Sequence, residues 1–496
     1  METLSSLQSG IASGRLSGCS SLKLCDGLSA FPSEIFSLAD SLTFLNLSNN
    51  CIRHLPPEFA QLKKLEIVFF NNNHFETFPA VLADCPKLSM VSFKNNAIAS
   101  IPPSALSPTL RWLILTNNKL ASLPPTIGNL PKLQKLMLAG NQLTELPRSL
   151  AHCKNLELIR LSANQLPALP RWLFTLPRLS WLAYAGNPNC SIEPATLTQQ
   201  PLQTISAAEL QLGEILGQGA SGIIYKAQWN AQWNDRWNAQ WNDRWNRTQT
   251  NETVAVKIFK GEITSDGSPL DEMKACIAAG SHPNLVTVLG QYRDGEKTGL
   301  VFSFIPSDYT NLGNPPSLES CTRDTYSAEP SFSLKKVLNV AKGIASVACH
   351  LHSQGIIHGD LYAHNILIDA AGHSILGDFG AASFYDTAAD KSLEKIEVRA
   401  FGCLLEDLLE YCLATGEATD KDIAEANVEK KAEANVERKD ANDTQAIIAS
   451  LYQLKTDCMN TDPTARPLFA SIYQKLEYQK LEYQKLEYQK LENIST

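Results

Sequence analysis

"LTFLNLSNNCIRHLPPEFAQLKK", Leu42 to Lys64, is followed at once by "LEIVFFNNNHFETFPAVLADCPK", Leu65 to Lys87, and the two align without a gap. They share the pattern L-x-x-L-x-L-x-x-N-x-L-x-x-L-P at a period of 23 residues. Further units open at Leu88, Leu110, Leu133, Leu156 and Leu179, and a degenerate first unit opens near Cys19. Within x-L-x-L-x the alternation turns both leucines to one face of a short strand. A unit this small cannot bury that face alone, so neighbours must stack on one another. Asparagine recurs at Asn50, Asn73, Asn96, Asn118, Asn141, Asn164 and Asn187. An inward amide at that turn can bond backbone groups of adjacent units that would otherwise lack partners.

The pattern is that of the leucine-rich repeat, and it predicts an α/β solenoid, a horseshoe of seven to eight units, over residues 1–190. The x positions of each strand line the concave face. The first column reads Phe44, Ile67, Met90, Trp112, Lys135, Leu158 and Trp181, and the second adds Phe69, Ile114 and Met137. A solvated strand face should be polar, and a contiguous apolar stripe marks an interaction site. Its occupant is either another protein, as partner or substrate, or the chain's own second half.

With 496 residues the chain is too long for one core and calls for several domains. Its net charge of −8 argues against nucleic-acid or membrane-surface binding. Twelve cysteines occur singly, without C-x-x-C, as expected of thiols in a reducing compartment. The first residues have neither a basic start nor an apolar run, and nowhere do eighteen apolar residues follow one another, so neither a signal peptide nor a membrane span is expected. These features point to the cytoplasm.

Beyond residues 191–208, a cap and polar linker, the patterning changes. "ELQLGEILGQGASGIIYKAQW" reads strand, glycine-rich turn, strand, with Gly217, Gly219 and Gly222 spaced G-x-G-x-x-G. Dinucleotide-binding folds share that spacing but need a helix directly after it. "IIYKA" is strand-like, which favours a loop folded over phosphates. "VAVK" follows with Lys257, then "PLDEMKACIAAGSHPNLVTVLG" with Glu272, "GLVFSFIP", "IIHGDLYAHNILI", "LGDFGAAS" with Asp378, "IEVRAFGCLLEDLLE" and "DPTARPLF". In this order the motifs resemble those of protein kinases over residues 209–476. The whole chain resembles a soluble, prokaryotic-type leucine-rich-repeat protein kinase, a solenoid followed by an α+β bilobal domain. Plant receptor kinases also join such repeats to a kinase domain, but the absent signal peptide and span set this chain apart from them.

The resemblance implies ATP and Mg2+ as cofactors and phosphoryl transfer to a protein, serine or threonine by family frequency. Catalysis in that chemistry is positioning plus charge neutralisation. Asp360 would take the proton of the incoming hydroxyl, Lys257 would meet the phosphates while held by Glu272, and Asn365 and Asp378 would hold magnesium. Ile224, Ala255 and Leu367 would enclose the adenine, Phe302 would gate the inner pocket, and backbone groups of Ser303 and Ile305 would meet the base edge.

Several positions depart from the family. Gly359 stands where an arginine normally receives a phosphorylated activation loop, so activity is expected to be constitutive or controlled elsewhere. The segment from Asp378 to Glu397 is short and lacks A-P-E; Glu397 takes the place of a buried aspartate, and Glu394 is the expected partner of Arg466. Tyr362 and His364 match neither the serine/threonine nor the tyrosine kinase pattern after the catalytic aspartate. Ser383, Tyr385, Thr387 and Ser392 are loop hydroxyls open to autophosphorylation. The alternative function is a nucleotide-binding pseudokinase scaffold acting through protein–protein contacts.

Three tandem repeats complete the chain, two of them exact. The octads "AQWNDRWN", at 231–246, fall in the loop between the second and third strands of the small lobe and read as tolerated duplication. A charged octad starts at Ala424, and "YQKLE" is printed four times from Tyr473, making 477–496 a low-complexity tail. Five residues turn an α-helix by about 500°, so its leucines should not form one seam.

Overall fold

The computed structural model describes residues 3–188, 202–219, 221–230, 252–261, 263–327, 332–387, 391–412 and 428–495. The octads at 231–246 and most of the linker lie outside the described residues.

Helix α1 (Leu4–Ala12), capped by the Thr3 side chain, sends Leu7 into the core of the solenoid. Eight three-residue strands follow: β1 (Ser21–Lys23), β2 (Phe44–Asn46), β3 (Ile67–Phe69), β4 (Met90–Ser92), β5 (Trp112–Ile114), β6 (Lys135–Met137), β7 (Leu158–Arg160) and β8 (Trp181–Ala183). They pair in parallel in chain order as a single sheet. Registers match repeat to repeat, with Phe44 opposite Ile67 and Leu158 opposite Trp181. The return segments carry short 3-10 turns such as Pro57–Gln61 and Arg148–His152, each entered from a proline that fixes φ.

The recurrent asparagines hold this stack as their spacing predicts. Asn73 accepts the Ile52 N–H at 2.9 Å and donates to the Leu47 carbonyl at 2.9 Å, one repeat back. Asn141 repeats the arrangement with Leu120 N–H and the Leu115 carbonyl. Buried backbone groups left unpaired would cost ~1–3 kcal/mol each, so these amides are structural.

The second half begins with β9 (Thr204–Ser206) and continues through β10 (Leu210–Gln218), β11 (Gly222–Trp229), β12 (Glu252–Phe259), helix α2 (Pro269–Ala279), β13 (Val288–Asp294) and β14 (Lys297–Ser303). The sheet order is β10-β11-β12-β14-β13-β9, five antiparallel strands with β14 between β12 and β13, and β9 added in parallel at the edge. A larger, mainly helical lobe follows. It contains β15 (Thr310–Asn311), α3 (Leu334–Ser353), β16 (Ile356–Ile357), β17 (Ile366–Ile368), β18 (Ser374–Leu376), β19 (Ser383–Phe384), α4 (Ser392–Glu410), α5 (Val428–Cys458) and α6 (Phe469–Ser495). A leucine-rich-repeat solenoid thus precedes the two-lobed fold of protein kinases. No helix among the described residues is long and apolar enough to cross a membrane.

The pentad repeats simply continue α6 through residue 476 and along α3, with Lys342–Glu477 and Lys335–Glu487 ion pairs at 3.1 Å. Leu476 and Leu486 are buried while Leu481 is half exposed, so the leucines do not share one seam.

The two halves are not tethered beads. Met137, Leu158 and Trp181 belong to the core of the large lobe, and Trp112 and Ile114 pack against it. Conversely, Ile357, Tyr385, Leu393 and Ile396 join the leucine core of the solenoid. The apolar stripe is therefore not an open face for a second protein over these repeats: the chain's own second half covers it. Phe44, Ile67 and Phe69 remain half exposed, and Met90 is buried. At Gly186, which has positive φ, a Cβ would come within 3.0 Å of the Asp271 carboxylate at the start of α2.

Candidate active site

The cleft between the lobes gathers the polar residues that the motifs singled out. Lys257, in the middle of β12, forms an ion pair with Glu272 of α2, both almost fully buried. Burial opposes the lysine charge, but Glu272 and then Asp378 outweigh it and hold the ammonium protonated. Pro269 at the start of α2, with Ser268 as its cap, launches the helix so that Glu272 falls in its first turn facing β12. Beside them β11 sets Ile224 opposite Lys257, and β14 sets Phe302 opposite Ala255. Ile224, Ala255 and Leu367 are half-buried, with Leu367 on β17 in the opposite lobe. Ser303 gives its N–H to the Thr287 carbonyl at 3.0 Å, and Ile305 follows two residues after the end of β14.

The glycine-rich turn lies between β10 and β11. Open space surrounds Gly217 and Gly219, whereas a Cβ at Gly222 would lie 2.6 Å from the Ile258 carbonyl oxygen. Such a turn can bring its N–H groups close to an anion.

Across the cleft, the loop after β16 carries Asp360 and Asn365. Asn365 donates its amide to the Asp360 carbonyl at 2.9 Å and to its carboxylate at 3.0 Å. Asp378 adopts a left-handed φ of 55° and accepts the Gly380 N–H at 3.2 Å. The Asn365 amide oxygen and the exposed Asp378 carboxylate are hard oxygen donors suited to a cation that keeps several other ligands. His358 meets the Gly377 carbonyl at 2.9 Å and packs on Phe379, tying the two loops together.

Glu397, on α4, is buried beneath this loop and accepts the N–H groups of His358 and Gly359 at 3.2 and 2.7 Å. Burial works against its charge, yet His352, His358 and the Gly359 N–H keep it below the usual carboxylate range. Arg466 does not pair with Glu394 as expected. Its guanidinium donates to the carbonyls of Asn460, Lys395 and Pro177 at 2.9, 3.0 and 2.7 Å, while Glu394 accepts the Phe469 N–H. Burial and the nearby Arg399 lower the Arg466 pKa to about 10.

Pro177 belongs to the solenoid, and it is one of several contacts there. Arg399 donates to the Arg178 carbonyl at 2.9 Å and to the Ser180 hydroxyl at 2.6 Å. Trp181 donates to the Leu361 carbonyl at 3.2 Å and stacks on Tyr362 with ring centroids 4.3 Å apart. Tyr184 gives its N–H to Ser383 and its hydroxyl to the Phe384 carbonyl. Ser383 and Tyr385 are consequently buried in the domain contact and are not open loop hydroxyls.

Motif reading missed Arg160, on β7, which bonds Asp360, the Gly359 carbonyl at 2.9 Å and Asp266 at 2.7 Å. A signal was present: from Asn46 to Ala183 the third strand residues read Asn, Phe, Ser, Ile, Met, Arg, Ala, and Arg160 is the one charge among them.

Known proteins match the same two regions. A family model described as protein tyrosine and serine/threonine kinase matches residues 210–400. Leucine-rich-repeat models match residues 41–62, 108–166 and 131–188. Among curated relatives, the L-type lectin-domain containing receptor kinase V.7 of Arabidopsis thaliana is 28% identical over 211 residues, 42% of this chain and 27% of that protein. The putative L-type lectin-domain containing receptor kinase I.10 of the same plant is 41% identical over 108 residues, 21% of this chain and 16% of that protein. The matched segments thus span only about a sixth to a quarter of these relatives' length. Both are plant receptor kinases, whereas the motif resemblance pointed to a prokaryotic type. The chain carries leucine-rich repeats followed by a protein kinase domain.

Proposed function

We propose that the chain is an ATP- and magnesium-dependent protein kinase, transferring the γ-phosphoryl group to serine or threonine hydroxyls. The observation that supports this most is the convergence of the Lys257–Glu272 pair, Asp360, Asn365 and Asp378 on one cleft. Ile224, Ala255 and Leu367 would hold the adenine, and the turn at Gly217, Gly219 and Gly222 would direct N–H groups to the phosphates. Lys257 would meet the α- and β-phosphates, its ammonium kept extended by Glu272. Asn365 and Asp378 would bind magnesium, which supplies charge neutralisation at the phosphates. Asp360 would accept the hydroxyl proton as the acceptor oxygen attacks. The serine/threonine preference comes from the kinase resemblance alone.

A second reading, a pseudokinase scaffold, is favoured by the solenoid's cover over the large lobe next to Asp360. The same contact limits any recruitment through the concave face to its half-exposed repeats around Phe44, Ile67 and Phe69. Labelled ATP with magnesium separates the two readings. The wild-type protein should transfer label to itself or to a generic serine/threonine substrate, and Asp360→Ala should reduce this by about 10³-fold or more. Equal label from both proteins would leave the scaffold.

A further inference from the structure

Resting on the kinase reading, a further role can be given to a residue from the solenoid. The Arg160 side chain is only 2% exposed, and its three nitrogens are divided among three acceptors. Nη2 meets the Asp360 carboxylate, Nη1 the Gly359 carbonyl and Nε the carboxylate of Asp266. Burial opposes the guanidinium charge, but Asp360 and Asp266 outweigh it. Asp266 lies in the segment leading into α2, three residues before Pro269, so one side chain joins the catalytic loop to the approach of the helix that carries Glu272.

From His358 to Asn365 the loop carries neither arginine nor lysine. Tyr362, two residues after Asp360, is stacked on Trp181, and His364 has its Nδ1 on Asp324 at 2.7 Å. We propose that Arg160 is a positioning residue of the phosphotransfer site: the solenoid lends, through β7, the cation that fixes the Asp360 carboxylate for the incoming hydroxyl.

A removable plug is the contrary reading of the same contact, and the burial argues against it. Trp181 and Leu158 are 1% and 2% exposed and continuous with the large-lobe core. Contacts of that kind resemble a domain interior and belong to permanent associations. The Asp360 side chain nevertheless keeps 17% exposure, so the carboxylate is held without being sealed. A planar fork also constrains a carboxylate in a way that a single ammonium does not.

The test uses the full chain carrying Arg160→Gln, Arg160→Lys or, as a control for domain contact remote from Asp360, Arg111→Gln. Arg111 donates to the Glu319 carbonyl across the same domain boundary. Folding is checked by thermal unfolding, and kcat and the KM for ATP are measured with a generic phosphoacceptor protein. Arg160→Gln should lower kcat by about 10- to 100-fold with the KM for ATP within about twofold, because positioning of the base is lost while the nucleotide site stays. Arg160→Lys should recover part of that loss, and Arg111→Gln should keep the wild-type kcat. An Arg160→Gln protein with unchanged or increased kcat overturns the proposal, an increase identifying the plug. If Arg160→Gln does not fold, Arg160→Lys decides: full wild-type kcat overturns the proposal and a reduced kcat at unchanged KM supports it. Wild-type transfer no greater than that of Asp360→Ala would overturn the kinase reading and this inference together.

Discussion

Gly359 has a φ of +74°, and a Cβ built on it would lie 2.5 Å from the Leu182 carbonyl oxygen and 2.7 Å from that of Ala381. The first of those oxygens belongs to β8 of the solenoid. The arginine that protein kinases usually carry here is absent for a physical reason: the docked repeat occupies its space. Arg160 arrives from the neighbouring strand and donates to the Gly359 carbonyl, so a cation still reaches the loop, from the opposite direction. Restoring the family residue with Gly359→Arg should therefore harm the protein. Left-handed backbone and overpacking against two carbonyls together predict a loss of about 2–4 kcal/mol, read as a lower urea midpoint. An unchanged midpoint would mean that the solenoid does not press on the loop.

At the scale of elements, the catalytic loop is held from beneath and from the side. Glu397 on α4 takes its N–H groups, and Asp324 takes the N–H of Ala363 and the ring of His364. Burial works against the imidazolium, but the Asp324 hydrogen bond and charge outweigh it, and the His364 pKa is raised. A raised folded value means that the pair's stabilisation is fully present below the ordinary imidazole value of 6.5 and is lost as pH climbs through the raised one. His364→Gln should accordingly fall furthest below wild type in urea midpoint near pH ~6, with the gap narrowing toward pH ~9. A gap that widens with pH would assign the pair the wrong sign. Asp324 carries no motif and was not legible, whereas most of the elements were. The 23-residue period announces β2 to β8 and the asparagine ladder because inward leucine and amide recur at fixed steps, and the glycine turn, Lys257, Asp360 and Asp378 are announced by local spacing. The Arg466 partner was not legible, because three carbonyls from separate segments, one of them at Pro177, leave no charge pattern to read.

Over the whole molecule, docking of the solenoid on the chain's second half was one of two occupants the stripe suggested, but the residues that make the contact escaped sequence reading because they have no period and lie some two hundred positions apart, Arg160 with Asp360 and Tyr184 with Phe384. The apolar concave stripe announced that something would cover these repeats, and the lone Arg160 and the missing side chain at Gly359 mark where. Around the short segment after Asp378, Pro177, Ser180, Trp181 and Tyr184 of the solenoid meet Arg466, Arg399, Leu361 and Phe384. The solenoid is thus part of the kinase domain's architecture, and its leucine core takes in Ile357, Leu393 and Ile396. Equilibrium urea unfolding of the full chain, followed by hydrogen exchange at amides of β2 to β8 and separately of α3, tests this claim most directly. One folded unit predicts the same midpoint at both sets of amides; a solenoid that unfolds while α3 stays protected, or the reverse, would contradict it.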